Sequence, residues 1–299
     1  MRARSLVLSV LPVLFVPWVL SAEGLEHRHQ RQQTFIQKYL KAHPPAPFAG
    51  TAEIDAFLRP LQAAWAKEAG ADPVLARLNP HAVMWTLGMV FEQNVPFAAR
   101  CHVWADYAVP AFLADLDFVR REPGPAKAFL LRSSELAWVV DSAFRCGLPA
   151  ERWAALKAAL LDYPATAEGY LARGGLPRTE LEADLRRVAE EARSLAPLLE
   201  ILDGIYQGRL EPATAQLAAA FGRTRHVFHL VELGERLARG FHEAGNFAAA
   251  LDVLDLLARS TTAQDLPRDL LERWYGLADP ERGPARFQKA RRKVDPGRV

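Results

Sequence analysis

The sequence lacks most of the motifs that mark the common classes of enzyme. It has only two cysteines in 299 residues, and they do not form the Cys-x-x-Cys pattern of a thioredoxin-type redox centre. It has no Gly-x-Ser-x-Gly, no His-Glu-x-x-His and no glycine-rich phosphate loop, which are the signatures of serine hydrolases, zinc proteases and nucleotide-binding proteins. We therefore expect a protein that is not an enzyme and that has no cofactor.

The chain also lacks a strong excess of charge of either sign. It has 37 Lys and Arg residues against 35 Asp and Glu residues, and loss of Arg2 and Arg4 with an N-terminal leader would leave 35 of each. Binding to nucleic acid depends on a basic surface that neutralises phosphates. The balance of charge predicts that nucleic acid is not a partner.

The N-terminus has the pattern of a secretory signal peptide. A basic start, MRARS, precedes the apolar run LVLSVLPVLFVPWVLSA, which ends in small residues. This order is typical of a signal peptide that is removed on export. The alternative is an uncleaved anchor, but the run has 17 residues and two prolines, which is marginal for a bilayer. We predict a signal peptide over 1–22, export to the periplasm or the medium, and no stable membrane insertion after cleavage.

The two cysteines, Cys101 and Cys146, are a candidate disulfide pair. An oxidising compartment outside the cytoplasm favours such a bond, and two buried thiols are the alternative that the sequence leaves open. Cys101 is followed directly by His102. Neighbours on a helix point about 100° apart, so these two residues are not expected to act as a nucleophile and its base.

Apolar residues recur at helical spacing along almost the whole chain, with proline and glycine between the runs. No strand pattern is present, and the links are short, so we predict an all-α fold of stacked antiparallel hairpins. Asn79 before Pro80 offers a capping side chain for one helix. The pattern predicts helices over 26–42, 52–69, 80–94, 97–107, 110–121, 125–145, 150–162, 165–173, 180–206 with a bend at Pro197, 212–221, 225–244, 246–259 and 265–293 with a break near Asp279.

The segment 231–264 resembles a tetratricopeptide repeat. Its first helix has a leucine, a small residue and an aromatic residue at the motif positions, and its second has an alanine and a large apolar residue. These residues are Leu237, Ala238, Phe241, Ala250 and Leu254. The motif's tryptophan, a later alanine and its closing proline are replaced by Gly234, Leu257 and Thr262. The resemblance implies a helical hairpin whose small residues let the two helices approach closely.

A weaker copy of the pattern lies 37 residues upstream and traces of a third lie downstream, so the resemblance covers residues 194 to about 293. It implies an α-solenoid in the C-terminal part, preceded by an irregular helical half. We predict a helical domain over 23–178, tetratricopeptide-like hairpins over 179–293 and a disordered tail over 294–299.

In tetratricopeptide repeats the first helices line a groove that binds a polypeptide. The groove positions of that family, transferred to the register of 231–264, select Glu232, Glu235, Arg239, His242 and Glu243. All five are polar, as a solvated groove requires. The resemblance therefore implies a protein or peptide partner in the cell envelope.

Two other functions are compatible with the sequence. The alternative is a helical accessory region of an envelope redox or hydrolytic system without its catalytic half, like the helical extensions that precede thioredoxin-like domains in some exported proteins. A metal site could begin with His226, His229 and Glu232 at positions i, i+3 and i+6 of a helix. The sequence indicates no fourth ligand, and we predict no metal.

Overall fold

The computed structural model describes residues 25–44, 50–70, 74–91, 96–121, 124–131, 133–262 and 264–294. The predicted signal peptide, 1–22, and the predicted tail from residue 295 onward lie outside these residues. Within them the chain forms thirteen α-helices and no β-strand, which confirms the all-α fold class. In the same part of the chain, no helix combines the length and hydrophobicity that crossing a bilayer requires.

Six helices form the N-terminal half. They are α1 Arg28–Ala42, α2 Thr51–Ala69, α3 Pro80–Phe91, α4 Phe97–Val103, α5 Val109–Arg121 and α6 Ser133–Ala143. A five-residue π-helical segment, Trp104–Ala108, joins α4 to α5, and a 3₁₀ turn, Pro125–Leu130, precedes α6. The predicted cap is present, because Asn79 Oδ1 accepts a hydrogen bond of 2.6 Å from the backbone N–H of Ala82.

Seven helices form the C-terminal half. They are α7 Ala150–Arg173, α8 Thr179–Tyr206, α9 Leu210–Ala220, α10 Val227–Glu243, α11 Phe247–Ser260, α12 Arg268–Ala278 and α13 Gly283–Val294. Each packs against the next, and α11 also packs against α13. One hydrophobic core runs through both halves. The predicted domain boundary at 178 lies in the turn between α7 and α8, which pack along each other.

Two predicted helix breaks are wrong, and both were placed at prolines. The helices predicted over 97–107 and 110–121 are one continuous helical run through the π-helical segment, and those over 150–162 and 165–173 are the single helix α7. Proline removes one backbone hydrogen bond and crowds the preceding turn. Burial of α7 on both sides of Pro164, which is itself buried, compensates for that loss. In contrast, the helix predicted over 125–145 is divided into the 3₁₀ turn and α6.

The segment that resembles a tetratricopeptide repeat forms the hairpin α10–α11. The five motif residues named above are all buried. Gly245 takes the left-handed conformation at the turn, with φ of 75°, which glycine adopts without a steric penalty. Asn246 caps α11 through a hydrogen bond of 3.1 Å from the Ala249 N–H to its Oδ1. The hairpin has the packing that the motif residues imply, and its membership of a repeat array stays a prediction.

Candidate functional site

Two of the five predicted groove residues are engaged within the molecule. The side chain of Glu232 is 12% exposed and forms an ion pair with Arg145, and His229 Nδ1 lies 3.3 Å from its Oε2. His242 Nδ1 donates a hydrogen bond of 3.0 Å to the carbonyl of Ala278 at the end of α12. These contacts hold α10 against its neighbours. Neither Glu232 nor His242 is therefore an unengaged groove residue.

The other three groove residues lie on the accessible side of α10. Arg239 forms an ion pair with Glu235 one turn earlier, and Glu243 is exposed. Two large apolar side chains are exposed beside them. Phe247 lies 5.3 Å from the His242 ring between centroids, and Leu277 directly precedes the carbonyl that His242 binds. We call Glu235, Arg239, His242, Glu243, Phe247 and Leu277 the α10 surface.

The loop of residues 144–149, which we call the clasp, connects the two halves of the molecule. A disulfide bond joins Cys101 of α4 to Cys146 in the clasp, so the predicted pairing is present. Arg236 Nη1 of α10 donates to the backbone carbonyls of Ala143, Phe144 and Cys146 at 3.1, 3.4 and 3.3 Å. One guanidinium thereby satisfies three carbonyls that leave the end of α6.

A tyrosine of α8 also binds the clasp. The Tyr206 hydroxyl accepts a hydrogen bond of 2.8 Å from the Leu148 N–H, and its ring stacks on Trp153 at 4.7 Å between centroids. The clasp is thus fixed covalently to the N-terminal half and by hydrogen bonds to α8 and α10. The clasp therefore links α10 to the N-terminal half.

The three residues considered as a metal site do not converge on one point. His226 Nε2 lies 2.7 Å from the Ser194 hydroxyl, whereas Glu232 faces Nδ1 of His229. The two imidazole rings lie stacked with centroids 5.8 Å apart. In the part of the chain that the structure describes, no group of three or more His, Cys, Asp or Glu residues is arranged to hold a metal ion.

A cleft of about 710 Å³ in the N-terminal half was not predicted from the sequence. It lies among α2, the turn before α3 and the π-helical segment. Asp55 of α2 is at its centre and accepts three hydrogen bonds. The Tyr107 hydroxyl donates at 2.6 Å, His102 Nε2 at 2.7 Å and Arg59 Nη2 at 3.0 Å. The cleft therefore has a carboxylate that three side chains fix in place.

A second carboxylate extends this network. His102 Nδ1 lies 2.8 Å from Asp106 Oδ2, and Asp106 also forms an ion pair with Arg152 of α7. The imidazole of His102 is thus held between Asp55 and Asp106. The network therefore links one imidazole to two carboxylates.

The π-helical segment explains why these residues meet. Pro110 has no N–H to give to the carbonyl of Asp106, four residues earlier. The N–H of Val109 instead bonds to the carbonyl of Trp104, five residues earlier. The widened turn carries Asp106, four residues after His102, and Tyr107, which binds the same carboxylate as His102. Such π-bulges often occur at functional sites.

Burial and hydrogen bonding shift the acid–base properties of the cleft. Burial alone would raise the pKa of Asp55, but the hydrogen bonds from Tyr107 and His102 together outweigh it, so the pKa is below its ordinary value. Burial, followed by the hydrogen bond to Asp55, raises the pKa of Tyr107 to about 12. At neutral pH the cleft therefore holds an ionised carboxylate next to a neutral phenol.

Buried contacts hold one wall of the cleft, the segment 74–79. Arg28 of α1 forms a buried ion pair with Asp115 of α5 at 2.7 Å, and it donates to the carbonyls of Val74 and Arg77 at 3.0 and 3.2 Å. Because a buried charge without a partner is costly, these contacts resist displacement. The wall is preformed.

Asp55 is 47 positions from His102, and no local pattern connects them. The sequence contains one local indication of the cleft. His102 and Asp106 have i, i+4 spacing, which puts two polar side chains on one helix face. The negative conclusion about Cys101 and His102 agrees with the structure, since Cys101 is disulfide-bonded and His102 faces the cleft.

Comparison with protein-family models, curated proteins and solved structures found no match to this chain.

Proposed function

We propose that the protein is an exported, non-enzymatic helical protein that holds a polypeptide partner at the α10 surface. The observation that carries the proposal is the pair of apolar side chains beside His242. Phe247 is 45% exposed and its ring lies 5.3 Å from the His242 ring between centroids. Leu277 is 62% exposed and directly precedes Ala278, whose carbonyl His242 binds. Exposed apolar side chains that cluster and are bordered by charged residues are typical of protein-binding sites.

The charges of the α10 surface define the chemistry of the partner. Glu235 and Arg239 compensate each other, and Glu243 adds a negative charge. The partner is therefore a segment with an apolar anchor side chain and an adjacent basic residue. A surface with so few anchors binds with modest affinity, because a small number of buried side chains carry most of the energy of an interface.

Affinity capture from an envelope extract tests the proposal. Leu277→Ser should reduce the recovery of the partner by about tenfold, because it removes a buried anchor at the interface. Leu161→Ser is the matched control, since Leu161 is also apolar and 40% exposed but lies on α7. Equal recovery by both variants would show that the α10 surface is not the binding site.

A charge-reversal experiment tests the basic part of the partner. Glu235→Lys with Glu243→Lys should weaken capture while leaving the unfolding curve unchanged, since exposed charges contribute little to stability. The double variant Glu151→Lys with Glu211→Lys changes two exposed acids elsewhere and should retain the partner. Loss of capture in both double variants would indicate only an effect of net charge.

Export is part of the same proposal. The intact mass of protein recovered from the envelope should correspond to a chain that begins at or next to Glu23. Retention of Met1 in a membrane-bound product would contradict export with cleavage.

A further inference from the structure

The side chain of His226 lies between α8 and the start of α10. His226 directly precedes α10, and its side chain is 10% exposed. The Ser194 hydroxyl of α8 donates to the Glu191 carbonyl at 2.7 Å, and its oxygen can accept a hydrogen bond from His226 Nε2, which lies 2.7 Å away. A neutral imidazole therefore joins the two helices without bringing a charge into their contact.

The surroundings of His226 oppose a second proton on its ring. The N-terminus of a helix carries a partial positive charge, which disfavours a cation, and the cationic Arg225 precedes His226 directly. The ring of His229 lies 5.8 Å away between centroids. Glu191 Oε1 is 3.6 Å from Nε2, but the other oxygen of that carboxylate is paired with Arg225. On the α6 side, Asp141 lies 3.5 Å from His229 Nε2 and acts on His226 at longer range.

These surroundings give the contact a dependence on pH. Burial is the largest cause that lowers the pKa of His226 below its ordinary value of 6.5, and the charges of His229 and Arg225 act in the same direction. Glu191 and Asp141 oppose this shift without reversing it. If the first turn of α10 leaves α8, the ring enters water and regains its ordinary pKa. Between the two values the displaced form binds a proton that the packed form does not, so acid favours displacement, by up to about tenfold per pH unit.

Displacement of this turn would uncover apolar surface. A groove of about 470 Å³ lies between α6, α8 and the first turn of α10. Leu136, Val140 and Leu195 line it and are buried. Leu230, in the first turn of α10, is also buried. Movement of the turn would therefore widen an apolar groove that is narrow in the packed form.

We propose that His226 is a proton-sensitive contact that releases the first turn of α10 from α8 in acid. The neutral ring binds Ser194 and keeps the turn packed, and the protonated ring favours water. The contact lies at the opposite end of α10 from Arg239, His242 and Glu243. The inference therefore does not depend on the function proposed for the α10 surface.

Hydrogen exchange of the intact protein, followed by mass spectrometry, tests the proposal. The Leu230 N–H bonds to the His226 carbonyl at 3.2 Å, so release of the turn exposes amides in residues 230–234. Their protection is divided by that of residues 250–258 in α11 at the same pH, which removes any general loss of stability in acid. From pH 7 to pH 5.5 this ratio should fall at least about threefold. A smaller fall overturns the proposal.

Variants assign the pH dependence to one ring. His226→Gln keeps a donor for Ser194 but takes up no proton, so the ratio should be independent of pH even if the turn is less protected throughout. His43→Gln changes an exposed histidine of the N-terminal half and should keep the fall. An equal fall in His226→Gln and the parent overturns the proposal.

A second variant decides the outcome if His226→Gln does not fold, which circular dichroism determines. Arg225→Gln removes a like charge at an exposed position and leaves Glu191 able to pair with the protonated ring. The fall in the ratio should then be smaller than in the parent, because the packed form accepts the proton more readily. In that case an unchanged fall in Arg225→Gln overturns the proposal.

Discussion

Gly234 of α10 lies directly against Leu257 of α11. A Cβ atom added to Gly234 would be 2.6 Å from a methyl carbon of Leu257, closer than two carbon atoms can approach without a shift. These are two of the positions at which the sequence departs from the tetratricopeptide motif, where a tryptophan and an alanine are expected. The large residue and the small residue have exchanged helices, so the two departures compensate each other.

This exchange predicts that the effect of Gly234→Ala on the free energy of unfolding changes sign when Leu257 is replaced by alanine. In the parent protein, Gly234→Ala should destabilise the fold by about 1–2 kcal/mol, because overpacking against Leu257 exceeds the gain in helix propensity. In the Leu257→Ala background, where the contact is absent, the same change should stabilise by up to about 1 kcal/mol. Urea unfolding measures all four proteins.

Gly276→Ala is the control for the Gly234 cycle. Gly276 lies in α12, and a Cβ there would meet nothing within 4 Å. The change should therefore stabilise the protein by about 1 kcal/mol through helix propensity. If Gly234→Ala has the same effect in both backgrounds, the close contact does not govern the packing of the hairpin.

The contacts of Arg236 with the clasp predict an unequal effect of two arginine substitutions on α10. Arg236→Ala removes the donor to three carbonyls and should lower the free energy of unfolding by about 1–3 kcal/mol. Arg239→Ala breaks only a surface ion pair and should cost about 0.5 kcal/mol or less. Denaturant titrations that give equal losses would mean that the clasp contacts contribute little.

Reduction of the disulfide should have a large effect on stability. Cys101 and Cys146 are 45 positions apart, and closing a loop of that length contributes about 4 kcal/mol in the chain-entropy model. The midpoint of urea unfolding should fall on addition of a dithiol reductant, and hydrogen exchange in residues 144–149 should become faster. A shift of less than about 1 kcal/mol would indicate that the clasp is held without the bond.

Stability should fall as the pH decreases from neutrality because of His81. Burial, with a smaller effect from the charge of His29, lowers the pKa of His81 from 6.5 to about 4. Between these values the unfolded chain binds a proton that the folded protein does not, so acid favours unfolding. His81→Gln should reduce the slope of stability against pH in this window, whereas the exposed His43→Gln should not. Parallel slopes for all three proteins would contradict the assignment.

The sequence predicts the elements of this fold better than it predicts their contacts. Helical spacing identifies nearly every helix, and Asn79 marks a real cap. The prediction fails at Pro110 and Pro164, because a proline is a local signal of a break whereas burial of the surrounding helix is a tertiary effect. A single sequence offers no measure of that burial.

The candidate sites show the same limit. The register of 231–264 selects five polar residues of α10, but Glu232 and His242 are engaged by Arg145 and Ala278, which are 87 and 36 positions away. The cleft depends on Asp55 and on a π-helical turn, and neither has a pattern at short range. Long-range pairs of this kind become visible only when the helices are packed.

The central claim is that a polypeptide binds at the α10 surface. Site-specific photo-crosslinking tests this claim most directly. A photoreactive amino acid replaces Leu277 in one protein and Leu161 in another, each is irradiated in the envelope extract, and adducts are mapped by mass spectrometry. The account predicts a crosslinked polypeptide at position 277 that is absent at position 161. No adduct at 277, or the same adducts at both positions, would contradict it.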